Sequence, residues 1–195
     1  MAVELFSDFA CPFCYLAEVG ASRLESAGHD IRYRSYELRP RPLPLEAPGT
    51  DPLKRIGWDQ IIAPLASELG VVMNFPAFGV RTRKAHEAAK HARERGVERA
   101  MRDALFGAYF AEGRDIGRID VLVAIAESVG VDRTDMKVTL DIDQHAAAVE
   151  ADATAASRLG LGGVPAYVVM GEPAPEVVIG LQQHERLVAW MERHR

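Results

Sequence analysis

Cysteine is scarce in this chain. There are two in 195 residues, Cys11 and Cys14, set three positions apart. A framework of structural disulfides is thereby excluded, and so is a closed zinc site made of this chain's thiols alone, which takes four ligands. Long apolar runs are missing as well; no stretch approaches the roughly 18 consecutive apolar residues of a membrane-spanning helix. Positive charge is not in excess: 23 lysines and arginines stand against 28 aspartates and glutamates, a formal net charge of −5. That balance argues against nucleic acid as the main partner. No fixed-period repeat and no low-complexity segment is visible. The opening Met-Ala-Val-Glu-Leu-Phe has no basic segment followed by an apolar core, so no secretory signal is read there. The expected compartment is cytoplasmic, where a lone cysteine pair is more often catalytic or metal-binding than structural.

What is present centres on Cys11-Pro12-Phe13-Cys14. The quartet follows a short apolar run, Val3 to Phe6, and opens an amphipathic segment through Tyr15, Leu16, Val19 and Leu24. A cysteine pair between a strand and a helix start reads as a thioredoxin-type redox motif. Residues three apart share a face of the first helical turn, near enough to close a disulfide. Pro12 suits the first helical position, which leaves Cys11 at the N-cap. There, unpaired N–H groups and the positive end of the helix dipole stabilise a thiolate. Cys14, one turn inside, is the more buried of the two. Cys11 is thus expected to attack and Cys14 to resolve. Two alternatives stand beside this reading: a buried inert pair, or half of a zinc site shared across a dimer.

Along the chain, the helix from Pro12 is expected to stop near Gly28, and Ile31 to Leu38 to form a strand with Ile31, Tyr33 and Ser35 on one face. Strand, helix and strand make a βαβ unit with parallel strands. A proline-rich loop follows, carrying Pro40, Pro42, Pro44, Pro48 and Pro52. Helices are then expected for about a hundred residues: 51–69, punctuated by Pro52, Gly57 and Pro64, then 82–95, 97–111, 118–129, 134–140 and 144–159. Val164 to Met170 and Glu176 to Ile179 read as two strands joined by a turn over Gly171–Pro175, an antiparallel hairpin. An amphipathic helix over 184–193 closes the chain. The predicted class is α/β, a thioredoxin fold (βαβ followed by ββα) with a large all-helical insertion. Residues 1–50 and 161–195 are expected to form the thioredoxin-like domain, and 51–160 the insertion.

The residues that carry a family resemblance are Asp8-Phe9-Ala10-Cys11-Pro12-Phe13-Cys14-Tyr15, the run Ala104 to Ile116, and Leu159-Gly160-Leu161-Gly162-Gly163-Val164-Pro165-Ala166-Tyr167. The chain resembles the DsbA family, more narrowly its FrnE-like cytoplasmic branch. The resemblance implies a thiol–disulfide oxidoreductase with Cys11 as nucleophile and Cys14 as resolving thiol. It implies a cis-proline at Pro165, turning the Val164 backbone toward a substrate strand, with Pro12 and Phe13 also facing substrate. A trans-proline opening a strand is the simpler reading of Pro165 by itself. Phe13 stands where periplasmic relatives carry a histidine, so the couple is expected to be less oxidising than about −120 mV. Relatives also include kappa-class glutathione transferases and 2-hydroxychromene-2-carboxylate isomerases, which typically place serine at the first cysteine position; here Cys11 is retained.

The expected partners are protein or small-molecule thiols and disulfides, with glutathione a possible co-substrate, no other cofactor, no nucleic acid and no membrane. The chain is expected as a monomer or homodimer. A glutathione-dependent isomerase or transferase of the kappa or 2-hydroxychromene-2-carboxylate isomerase type, in which the Cys11 thiolate activates or contacts glutathione, is a second reading, and a non-enzymatic peptide-binding (chaperone) module is a third. Glu37, ending the second strand, is a candidate proton relay, or else a strand-end residue paired with an arginine. His86 and His91 lie five apart on a predicted helix, an off-face spacing, so no metal is expected. The basic stretch Arg81 to Arg102 reads as a solvated, ion-paired face, with an anionic-substrate role as the alternative. Phe75, Phe78, Phe106, Tyr109 and Phe110 read as core of the insertion.

Overall fold

The structure, a computed structural model, describes residues 2–45, 48–171 and 173–193. Part of the proline-rich loop (46–47) and Glu172 of the expected hairpin turn lie outside the described residues. Two compact units are present: 1–38 with 151–195, and 39–150. The divisions fall at 38/39 and 150/151, against the expected 50/51 and 160/161.

The first unit is built on four strands. β1 (Ala2–Ser7) pairs in parallel with β2 (Asp30–Ser35), with Leu5 opposite Tyr33. β1 also pairs antiparallel with β3 (Ala166–Val169), which pairs antiparallel with β4 (Glu176–Ile179). The order is β2-β1-β3-β4. Between β1 and β2 runs α1 (Pro12–Ser26), as a right-handed crossover of this type requires. It ends at Ala27, and Gly28 takes φ +83°, the left-handed conformation that costs glycine least. Along β2, buried Tyr33 and Ser35 alternate with more exposed Arg32 and Arg34, the period of two expected of a strand with one wet face.

Side chains fill both faces of the sheet. On one, Val3, Leu5, Tyr33, Tyr167 and Val169 pack with Ala17, Ala21 and Leu24 of α1 and with Leu187, Trp190 and Met191 of α9 (His184–Glu192). On the other, Phe6, Ala166 and Val168 meet Ala156 from the second half of α8 (Ala146–Arg158) and Leu161 just beyond its end. That half of α8 therefore belongs with the sheet, which is why the unit begins before residue 161. Burial of one leucine or phenylalanine here contributes about 1.5–3 kcal/mol. The arrangement is the expected thioredoxin fold.

The second unit is helical, with no strand among its described residues. α2 (Pro52–Gly57) and α3 (Ala63–Leu69) are joined by a π-helical turn, Trp58–Ile62, then come α4 (Arg83–Glu94), α5 (Glu98–Phe110), α6 (Ile119–Ser128) and α7 (Arg133–Asp141). Pro52 takes the first position of α2, and the Asp51 carboxylate caps it by accepting the Leu53 N–H at 3.0 Å. Pro64 is accommodated without a break. The Ala63 N–H reaches back to the Trp58 carbonyl, one residue further than an α-helix would, and the chain continues past the proline. Phe106, Tyr109 and Phe110 are buried, and Trp58 stacks on Phe110 with ring centroids 6.1 Å apart. Phe78 departs from the expected core and is 37% exposed.

Candidate redox site

β1 ends at Ser7, and a turn over Asp8–Ala10 delivers the chain to α1. The Cys11 N–H donates to the Asp8 carbonyl at 3.0 Å, which fixes that turn. Cys11 is the N-cap, in extended conformation (φ −94°, ψ 116°), and Pro12 opens the helix. The Cys14 N–H donates to the Cys11 carbonyl at 3.1 Å, so the second thiol lies one turn in and on the same face. The two cysteines are free thiols that approach to 3.3 Å. Cys14 is fully enclosed, whereas Cys11 keeps 5% of its surface exposed.

The Cys14 thiol is pushed well above the ordinary cysteine range, first by burial and then by the neighbouring Cys11 sulfur. Its Sγ accepts the Asp8 N–H at 3.5 Å, a bond that favours the thiolate but is outweighed. From the other side, the Cys11 S–H donates to the Val164 carbonyl at 3.6 Å. The Val164–Pro165 peptide bond is cis. Val164 is half-buried and Pro165 buried, while Pro12 and Phe13 are half-buried beside the thiols. Of the six residues singled out from the sequence, four lie at the start of α1 and two at the approach to β3, and the Cys11–Val164 contact joins the two groups.

One carboxylate at the site was not read from the sequence. Asp8 is buried, and its oxygens accept the Leu38 N–H at 2.6 Å and the Ala10 N–H at 3.3 Å, while its own N–H meets Cys14. The visible signal was an aspartate in the turn directly before the cysteines, where side-chain-to-backbone bonds two residues on are common. Deeper in the unit, Glu18 is buried on α1 one turn after Cys14. Tyr167 on β3 is held far above the ordinary phenol range by burial, with the charges of Glu18 and Cys14 adding to it. Glu37 is half-buried beyond the end of β2, and the carboxylate bonded in the turn under the thiols is Asp8. In the helical unit, the basic stretch is largely ion-paired: Arg83 with Glu150 at 3.2 Å, Lys84 with Asp143 at 2.5 Å, Arg95 with Asp135 at 2.5 Å, Arg99 with Asp103 at 2.5 Å.

A thioredoxin fold that presents two free thiols at a helix N-terminus, facing a carbonyl before a cis-proline, defines the class of thioredoxin-like proteins with a candidate dithiol site. Within it, residues 2–191 match the family model of the DSBA-like thioredoxin domain, and the chain belongs to that family. Among similar proteins is the uncharacterized protein YwbO of Bacillus subtilis (strain 168), 33% identical over 199 residues that cover 94% of this chain and 98% of the relative. Among solved structures, the probable DsbA oxidoreductase SCO1869 from Streptomyces coelicolor superposes with a TM-score of 0.85 at 25% identity, covering 99% of this chain and 89% of that one. A 2-hydroxychromene-2-carboxylate isomerase superposes with a TM-score of 0.79 at 23% identity, over 99% of this chain and 95% of that one, a likeness of fold. No helix among the described residues is long and apolar enough to cross a membrane.

Proposed function

We propose that the protein is a thiol–disulfide oxidoreductase working through Cys11 and Cys14. One observation carries this reading: the thiol of Cys11, a residue at the N-cap of α1 that keeps 5% of its surface exposed, lies 3.3 Å from a second, fully enclosed thiol whose proton is held tightly. The Cys11 thiolate attacks one sulfur of a substrate disulfide; that S–S bond breaks and the substrate's other sulfur leaves as a thiolate. Cys14 then gives up its proton and attacks the Cys11 sulfur, expelling the second substrate thiol. The substrate has gained two electrons and two protons, and the protein holds a Cys11–Cys14 disulfide; run backwards, the same steps oxidise a dithiol. Pro12, Phe13, Val164 and Pro165 are the surfaces proposed to receive the substrate, with the Val164 carbonyl accepting from an extended segment laid across the thiols. Protein disulfides and small disulfides are both proposed substrates, glutathione is the proposed small-thiol partner, and a cytoplasmic setting keeps such a pair cycling.

A second reading is favoured by the likeness to the isomerase fold: Cys11 as a thiolate that serves a small-molecule isomerisation without a disulfide. Alkylation of the reduced protein tests the first reading at its root. Thiolate and access are both needed for attack, and of the two cysteines Cys11 is the one that keeps any surface exposed, 5% against none. At neutral pH, Cys11 is expected to label at least about tenfold faster than Cys14. Because burial holds the Cys14 proton to a higher pH than an ordinary thiol, its labelling should rise only as pH climbs well beyond that range. Peptide mapping after a timed quench reads both rates. Equal labelling, or Cys14 labelling first, removes the assignment of nucleophile and resolver.

A further inference from the structure

The helical unit holds a second group of ligating side chains, away from the cysteines in sequence. His91 and Glu94 lie three residues apart on α4, and His145 stands in the turn before α8. Both imidazoles are buried: His91 is 1% exposed and His145 7%. One donor atom from each of the three residues falls within 4.8 Å of the others. His91 Nδ1 and His145 Nε2 are 3.4 Å apart, and His145 Nε2 is 3.8 Å from Glu94 Oε2. A tetrahedron with ion–ligand bonds of 2.0–2.1 Å has edges of about 3.3–3.4 Å, so the two nitrogens already stand at ligand spacing. Glu94 is the exposed member, and a change of rotamer brings its oxygen in.

The surroundings prepare the nitrogens. His91 Nε2 lies 2.9 Å from Asp135 Oδ2. With an Nε2–H facing that carboxylate, Nδ1 is the acceptor nitrogen, 3.4 Å from His145 Nε2, the arrangement that orients histidines in metal sites. Two other groups approach His91 Nδ1: Thr139 Oγ1 at 3.2 Å and Arg95 Nη1 at 3.1 Å. Thr139 has a second partner in Gln144 Oε1 at 3.2 Å, and Arg95 keeps its 2.5 Å contact with Asp135 through Nη2. Each can release the ring nitrogen without losing its other bond.

We propose that His91 Nδ1, His145 Nε2 and a Glu94 carboxylate oxygen bind a zinc-like divalent transition-metal ion, with Asp135 supporting His91 from behind. Two imidazoles and a carboxylate suit Zn²⁺, and water completes four-coordination. The ion ties α4 to the turn that leads into α8, so its binding stabilises the helical unit by mass action.

The test uses the full-length chain carrying Cys11→Ser and Cys14→Ser, which removes the thiols as competing ligands. Titration calorimetry with Zn²⁺ is expected to show one ion per chain, and Co²⁺ to give the visible absorption of a four-coordinate complex. Further replacement of His145 by alanine should abolish both signals. Glu94→Gln, at a side chain 57% exposed and so harmless to folding, should weaken binding at least about tenfold. Asp135→Asn should weaken it by roughly 10–100-fold. Circular dichroism checks that each variant is folded; if His145→Ala is not, Glu94→Gln decides. Absence of binding in the cysteine-free chain overturns the proposal, as does binding that Glu94→Gln leaves unchanged.

Discussion

Replacing Cys14 with serine is expected to convert the protein into a trap for its substrates. The Cys11 thiolate still attacks, but no second thiol stands 3.3 Å away to expel the bound partner. Mixed disulfides at Cys11 should accumulate, visible as slower-migrating adducts that collapse on reduction. Catalytic turnover should fall on the order of 10²-fold or more, because one of two coupled chemical steps is gone. Cys11→Ser should lose turnover to the same degree and form no adducts. That asymmetry follows from placement: one cysteine is at the N-cap and keeps 5% of its surface exposed, the other is enclosed and holds its proton. Adducts on Cys11→Ser, or their absence on Cys14→Ser, would reverse or remove the assignment. If the isomerisation reading holds instead, Cys14→Ser keeps its activity.

A large loss of stability is expected at Asp152, in the second half of α8. Its carboxylate is buried and accepts the Ser35 N–H at 2.9 Å on the outer edge of β2. Arg34 Nε also approaches Asp152 Oδ1 to 2.9 Å, as a charge contact off the line of a hydrogen bond. An edge strand leaves backbone donors without ladder partners, and here a side chain from a helix some 117 residues away in sequence supplies one. Asp152→Ala strands the Ser35 N–H, at about 1–3 kcal/mol, and removes one of the two carboxylates beside a guanidinium that is 30% exposed, Glu4 at 3.8 Å remaining, so that part adds little. The sum is about 2–3 kcal/mol, or roughly 5–10 °C in Tm for a chain of this size. Asp152→Asn, which keeps an acceptor oxygen, should cost less. Thermal unfolding of the two variants in parallel checks this. A Tm for Asp152→Ala equal to that of the unaltered chain would mean that α8 does not secure the β2 edge.

Much of the fold was legible because its signals are local. Cys11-Pro12 marks a helix start, Gly28 marks its end, and the alternation from Ile31 to Ser35 marks a strand. Where the reading missed, a distant partner decided. β2 was expected to reach Leu38, but the Leu38 N–H goes to the Asp8 carboxylate, 30 residues back, and the regular ladder ends at Ser35. β3 was expected from Val164 and begins at Ala166, since Pro165 has no N–H to give. The Pro165 carbonyl instead accepts the Gly180 N–H at 2.7 Å. Within 51–69, Gly57 and Pro64 were read as punctuation; a π turn absorbs the proline, an option that a period of 3.6 does not announce. The proximity of the two thiols was legible for the same reason the helix start was, since both cysteines fall within one turn. Asp8 stood in the quoted motif, yet its bond to Leu38 depends on the chain's return. His91 was weighed only against its helical neighbour His86, whereas its companion ring, His145, lies 54 residues away.

The central claim is that Cys11 and Cys14 form one redox couple. Equilibration in glutathione buffers of graded ratio, followed by acid quench, alkylation and mass measurement, tests it most directly. A single transition is predicted between a species with two alkylatable thiols and one with none. It should follow the two-electron dependence of about 29.6 mV per tenfold, with a midpoint more reducing than about −120 mV because Phe13 brings no imidazolium to the pair. Two thiols that remain alkylatable at every ratio would contradict the claim. So would separate glutathione adducts on each cysteine, with no Cys11–Cys14 bond at any potential.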